Sequence, residues 1–81
     1  MLRIVIVGAG VVGIHLAERL SAEGHRITII DADIDLIHRI DDRLNVRAIH
    51  GNAASPRTLR KAISDRTDLV IAVTDRDETN I

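Results

Sequence analysis

The chain is 81 residues long and 46% apolar, with 11 basic and 12 acidic side chains and a net charge of −1; this is room for one small domain with a modest core, and gives no electrostatic case for a nucleic acid or an anionic membrane surface. It contains no cysteine and no aromatic residue, which excludes disulfides, thiol catalysis, thiolate metal sites and base stacking, and fits a cytosolic location. Its longest apolar runs are too short to cross a bilayer, and residues 1–7 read as a strand entering a turn rather than as a signal peptide.

Leu2–Val7 is rich in β-branched residues, the pattern of a parallel strand buried on both faces. It runs into Gly8-x-Gly10-x-x-Gly13. Residues 11–23 follow as a helix, with Gly13, Leu16, Ala17 and Leu20 toward the sheet and His15, Glu18 and Arg19 outside. Gly24 closes it as a C-terminal glycine. His25–Ile30 is the second strand, and Asp31 stands at its end. A further helix runs from Asp33 to about Arg43, with Leu36, Ile37, Ile40 and Leu44 on one stripe. Asp33 and Asp35 suit the positive end of its dipole.

Val46–Ile49 is a short third strand, followed by the loop Gly51-Asn52-Ala53-Ala54. Ser55-Pro56 opens a third helix as N-cap and first residue, with Leu59, Ala62 and Ile63 inward. Leu69–Val73 is the fourth strand, and the stretch from Thr74 to Asn80 starts as another helix. Asp75, Asp77 and Glu78 there read as a solvated helix start. Alternating strands and helices predict an α/β, Rossmann-like parallel sheet in the order 3-2-1-4 with right-handed crossovers. The fourth strand is apolar, yet no helix follows to cover it and no fifth strand protects its edge. Residues 1–81 are therefore expected to be one nucleotide-binding domain, doubly wound but truncated at its C-terminal end.

The most informative local pattern is strand, glycine turn, helix, strand, acid. Each position has a job in holding a dinucleotide. Gly8 permits the tight turn, Gly10 lets a pyrophosphate approach the backbone, and Gly13 allows close packing of the helix. The helix start offers N–H groups and a positive dipole end to an anion. Asp31 is placed to accept hydrogen bonds from both ribose hydroxyls, and a carboxylate there disfavours a 2′-phosphate. No metal site is expected: His15, His25, His38 and His50 fall on different elements without ligand spacing. Ser21, Ser55 and Ser64 lie in no nucleophile elbow.

Four segments, GAGVVG, IIDAD, GNAASPRTLRKA and DLVIAVTDRDETN, together resemble the N-terminal nucleotide-binding domain of TrkA-type potassium-uptake regulators, also called the RCK or KTN domain. The resemblance covers essentially the whole chain, and its last segment is the most specific. It implies a non-catalytic cytosolic regulator that binds NAD(H) or an adenine nucleotide (ATP, ADP or AMP). It also implies self-association into dimers or larger assemblies, and control of a membrane potassium channel or transporter from the inner face of the cell membrane. Direct membrane insertion is not expected.

By position, the resemblance assigns the diphosphate to the turn Gly8–Gly13, including Val11 and Val12. Asp31 would hold the adenosine ribose, with Ala32 and Asp33 bordering it. Asn52 and Ala53 would lie beside the adenine, and Val73, Thr74 and Asp75 would line the crevice from the fourth strand. Three positions differ from the family pattern. Val11 stands where Arg or Gln is frequent, Asn52 where the loop often carries Asp, and Ile63-Ser64 where the third helix commonly closes with glycine. The alternative from another class is the cofactor-binding fragment of an NAD-dependent oxidoreductase, whose hydride chemistry needs a substrate domain with an acid–base residue. An interaction scaffold without ligand is the third reading.

Overall fold

The computed structural model describes residues 1–43, 46–52 and 55–73. The elements are β1 (Arg3–Val7), α1 (Val11–Ala22), β2 (Arg26–Asp31), α2 (Ile34–Arg43), β3 (Arg47–His50), α3 (Pro56–Ala62) and β4 (Leu69–Ala72). All pairings are parallel and the sheet order is β3-β2-β1-β4, as the alternation predicted. The order reverses between β1 and β4, where open α/β sheets form their ligand crevice outside the carboxyl ends of the strands. The expected inward Leu44 and the stretch from Thr74 onward lie outside the described residues.

β1 is the central strand. Its register pairs Val5 with Thr28 on one side and with Val70 on the other. The ladder with β4 is closed at both ends: the Asp68 amide donates to the Arg3 carbonyl at 2.8 Å, and the Val73 amide to the Val7 carbonyl at 2.8 Å. Strand alternation sends Ile4, Ile6, Ile27 and Ile29 to one face, where Ala17, Ile37 and Ile40 of α1 and α2 meet them. With no aromatics available, isoleucine fills this core, each buried side chain contributing about 2 kcal/mol. The crossover from β3 to β4 runs the other way across the sheet, which puts α3 on the opposite face. Val5 and Ile30 are buried there. Cover is thinner on this side: Leu59, Ala62 and Ile63, expected inward, are only half-buried.

Local chemistry explains the element ends. The Gly24 and His25 amides donate to the Ser21 and Leu20 carbonyls at 3.0 and 3.1 Å. This Schellman pattern requires the left-handed φ of +93° that Gly24 adopts. His25 therefore belongs to the helix cap, and β2 begins one residue later than the sequence suggested. The Asp33 carboxylate accepts the Asp35 amide at 2.9 Å, so Asp33 caps α2 from outside. The Ser55 hydroxyl accepts the Thr58 amide at 3.5 Å, with Pro56 opening α3 as expected.

Candidate functional site

The turn after β1 carries three glycines, and the backbone itself requires glycine at Gly8 and Gly13. Gly8 has φ +112°, a region closed to most side chains, and its amide donates to the Ile30 carbonyl at 2.8 Å. A Cβ on Gly13 would lie 2.1 Å from the Gly8 carbonyl oxygen and 3.0 Å from its carbon. The first turn of α1 thus presses on the backbone of the loop itself, and this contact is closer than that with the sheet. Gly10 is the N-cap of α1 at φ −66° and ψ −167°, a conformation open to any residue. Its backbone does not demand glycine. Gly10 supplies no side-chain cap, and the first carbonyl bond of the helix is Ile14 N–H to Gly10 at 2.9 Å. Val11 and Val12 stand exposed beside the turn.

Asp31 ends β2 next to this turn, and its carboxylate joins two loops. One oxygen accepts the Ala9 amide at 2.8 Å and the other accepts the Asp33 amide at 2.7 Å. Ala9 is fully buried, so water does not replace that acceptor. A carboxylate offers about four lone-pair sites, which leaves one on each oxygen for a further donor. The Gly51 amide donates to the Asp31 carbonyl at 3.0 Å, bringing the loop after β3 alongside. Glycine turn, acidic strand end and third loop therefore converge on one edge of the sheet.

The TrkA-N domain model matches residues 4–81. The chain belongs to the TrkA-N domain family. TrkA-N domains are nucleotide-binding, Rossmann-type domains. A "Trk system potassium uptake protein TrkA homolog" of Archaeoglobus fulgidus is 48% identical over 80 residues, covering 99% of this chain and 18% of the relative. The "Trk system potassium uptake protein TrkA" of Halomonas elongata is 41% identical, and that of Vibrio alginolyticus 40%, over the same length and shares of each chain. The chain thus spans about a fifth of the length of these curated relatives.

Within this TrkA-N domain, Gly8, Gly10, Val11, Val12, Gly13, Asp31, Ala32 and Asp33 are contiguous around the turn. Asn52 is exposed in the loop after β3, where its carbonyl accepts the Ser55 amide at 2.9 Å. Val73 is half-buried just beyond β4, tied to Val7 across the crevice. Ala53, Thr74 and Asp75 lie outside the described residues. One neighbour escaped the sequence reading. His50, the ladder partner of Asp31, has Nε2 3.0 Å from the Ala32 carbonyl. A carbonyl only accepts, so Nε2 carries the proton, and the imidazole steadies the loop bordering Asp31. Only the β2–β3 register reveals this. Among the described residues, no cluster of three potential metal ligands forms and no helix is long and apolar enough to cross a membrane.

Proposed function

We propose that this TrkA-N domain is the nucleotide-sensing part of a regulator of potassium transport. It binds NAD(H), ATP, ADP or AMP along the carboxyl edge of the sheet and performs no chemistry on the ligand. The observation that carries this reading is the junction of the glycine turn with Asp31, whose carboxylate is held by two backbone amides with acceptor capacity to spare. The turn Gly8–Gly13 would hold the diphosphate and Asp31 the ribose, with Ala32, Asp33, Asn52, Ala53, Val73, Thr74 and Asp75 around the adenosine and the crevice. The names of the relatives, which speak of potassium uptake, favour this over a cofactor-binding fragment of an oxidoreductase. The domain would act in the cytoplasm, at the inner membrane face, through a potassium channel or transporter subunit.

Calorimetry with NADH and NADPH tests the ligand reading. NADH is expected to bind at least about tenfold tighter, a difference of roughly 1.4 kcal/mol, because a 2′-phosphate beside Asp31 meets a like charge. Equal or tighter binding of NADPH overturns it. Gly10→Ala sharpens the test: its backbone accommodates alanine, so the fold should persist while the added methyl blocks the pyrophosphate.

The proposal includes self-association. β4 is an outer strand of the described sheet, with Leu69 44% and Val70 47% exposed. Such an edge offers apolar surface together with N–H and C=O groups for pairing. Light scattering at about 100 μM should read a dimer or larger, since association is concentration-dependent. A monomer at that concentration removes this part of the proposal.

A further inference from the structure

A second concave feature lies at the opposite end of the sheet from the glycine turn. It is a hollow of about 580 Å³ beneath α3, lined by Arg3, Arg26, Arg47 and Thr28 of the strands and by Ser64 and Thr67 of the turn after α3. Alternation along the strands places the three arginines on the face opposite Ile4, Ile27 and Ala48 of the main core. Arg3 and Arg26 are direct partners in the β1–β2 ladder. Arg47 pairs with Thr28, one same-face step along β2 from Arg26. Like charges directly opposite on neighbouring strands destabilise the pair. Here three permanent cations share one recess.

Among the described residues, no Asp or Glu lines the hollow and no ion pair reaches these arginines. Asp68 and Glu23 stand close to the hollow, but neither forms an ion pair with a guanidinium of the cluster. Asp68 accepts the backbone amide of Arg3 at 2.8 Å. Glu23 lies 3.7 Å from Arg19 Nε and 3.9 Å from His25 Nε2. Two hydroxyls complete the lining: Thr67 Oγ1 accepts the Ser64 amide at 3.0 Å and Ser64 Oγ accepts the Arg66 amide at 3.2 Å. Each of these oxygens accepts from the backbone, which leaves its own O–H to donate.

We propose that this hollow is a second ligand site, for a small phosphate-bearing anion, separate from the nucleotide crevice. Guanidinium groups present planar forks that match phosphate oxygens and stay charged at any physiological pH. The volume falls within the range of small-molecule sites. The five-residue length of β1, at about 3.3 Å per residue, separates it from the glycine turn. Both sites can therefore be filled at once. The assignment rests on charge and geometry at this end alone, so it stands or falls independently of the nucleotide reading.

Amide shift mapping of the 81-residue chain tests it, titrating inorganic pyrophosphate and ribose 5-phosphate separately against sodium chloride of equal ionic strength. Saturable shifts at Arg3, Arg26, Arg47, Ser64 and Thr67 are expected, with at least a tenfold loss of affinity in Arg26→Gln and, independently, in Arg47→Gln. Both substitutions relieve repulsion, so each variant should melt at or above the parent temperature. Tighter binding of ribose 5-phosphate assigns the site to a phosphorylated organic molecule, and of pyrophosphate to an inorganic ion. Shifts confined to residues 8–13, shifts that grow linearly as with chloride, or undiminished binding in both variants would each overturn the proposal.

Discussion

Gly13→Ala is expected to cost the protein more than about 3 kcal/mol, a large share of its stability. The new methyl would sit 2.1 Å from the Gly8 carbonyl oxygen and 3.0 Å from its carbon, far inside van der Waals contact. Neither side can yield cheaply. Gly8 is held at φ +112° and bonded to the Ile30 carbonyl, while α1 is anchored by the fully buried Ala17 one turn on. Ordinary overpacking against mobile side chains costs roughly 1–3 kcal/mol. A clash between two fixed backbones exceeds the upper end of that range. A chain of this size has a total stability of roughly 4–12 kcal/mol, so a loss above about 3 kcal/mol removes much of it. Lacking aromatics, the protein gives no tryptophan or tyrosine signal; urea denaturation followed by far-ultraviolet circular dichroism provides the reading. An unfolding free energy within about 1 kcal/mol of the parent's, at unchanged slope, would show that α1 can retreat from the turn.

Asp31→Ala should injure the fold and the ligand site together, by separable amounts. Removing the carboxylate strands the Ala9 amide, which is buried, and frees the Asp33 amide, which is exposed and can be hydrated. The first loss dominates, so destabilisation of about 2–3 kcal/mol is expected, the range for a hydrogen bond to a charged group. Asp31→Asn retains one acceptor oxygen for two amides and should fall in between. In the fraction still folded, NADH affinity should drop a further tenfold to hundredfold, corresponding to roughly 1–3 kcal/mol of lost ribose contacts. Denaturation and calorimetry on the same samples separate the two effects. Lower stability with unchanged affinity would reduce Asp31 to a latch between loops and remove it from the ligand site.

The glycine turn was legible because each of its demands is local. A strand period, a Gly-x-Gly-x-x-Gly spacing and an acid after the next strand are all read within about thirty residues, the span of one βαβ unit. The sheet order was legible for a different reason. Right-handed crossovers admit few arrangements of alternating strands and helices. The small errors fell at element ends, where one residue has competing uses. His25 looked like the first residue of β2, but its amide completes the cap of α1. The third strand was expected to end at Ile49, but pairing with Asp31 draws His50 into β3.

The sequence by itself determined the elements, their parallel order, the turn that needs glycine and the acid beside it, because periodicity and turn chemistry act between near neighbours. Only the tertiary structure decided what those residues touch. The Asp31 carboxylate grips Ala9 across the sheet, Gly13 is fixed by the Gly8 carbonyl, His50 reaches Ala32, and Arg3, Arg26 and Arg47 gather under α3. The cross-strand contacts among these follow from the register of β1 on β2 and of β2 on β3. A slip of one residue in either pairing would turn every side chain to the other face. What sets the register is burial of Ile4, Ile6, Ile27 and Ile29 against α1 and α2, a property of the packed molecule that no single segment carries.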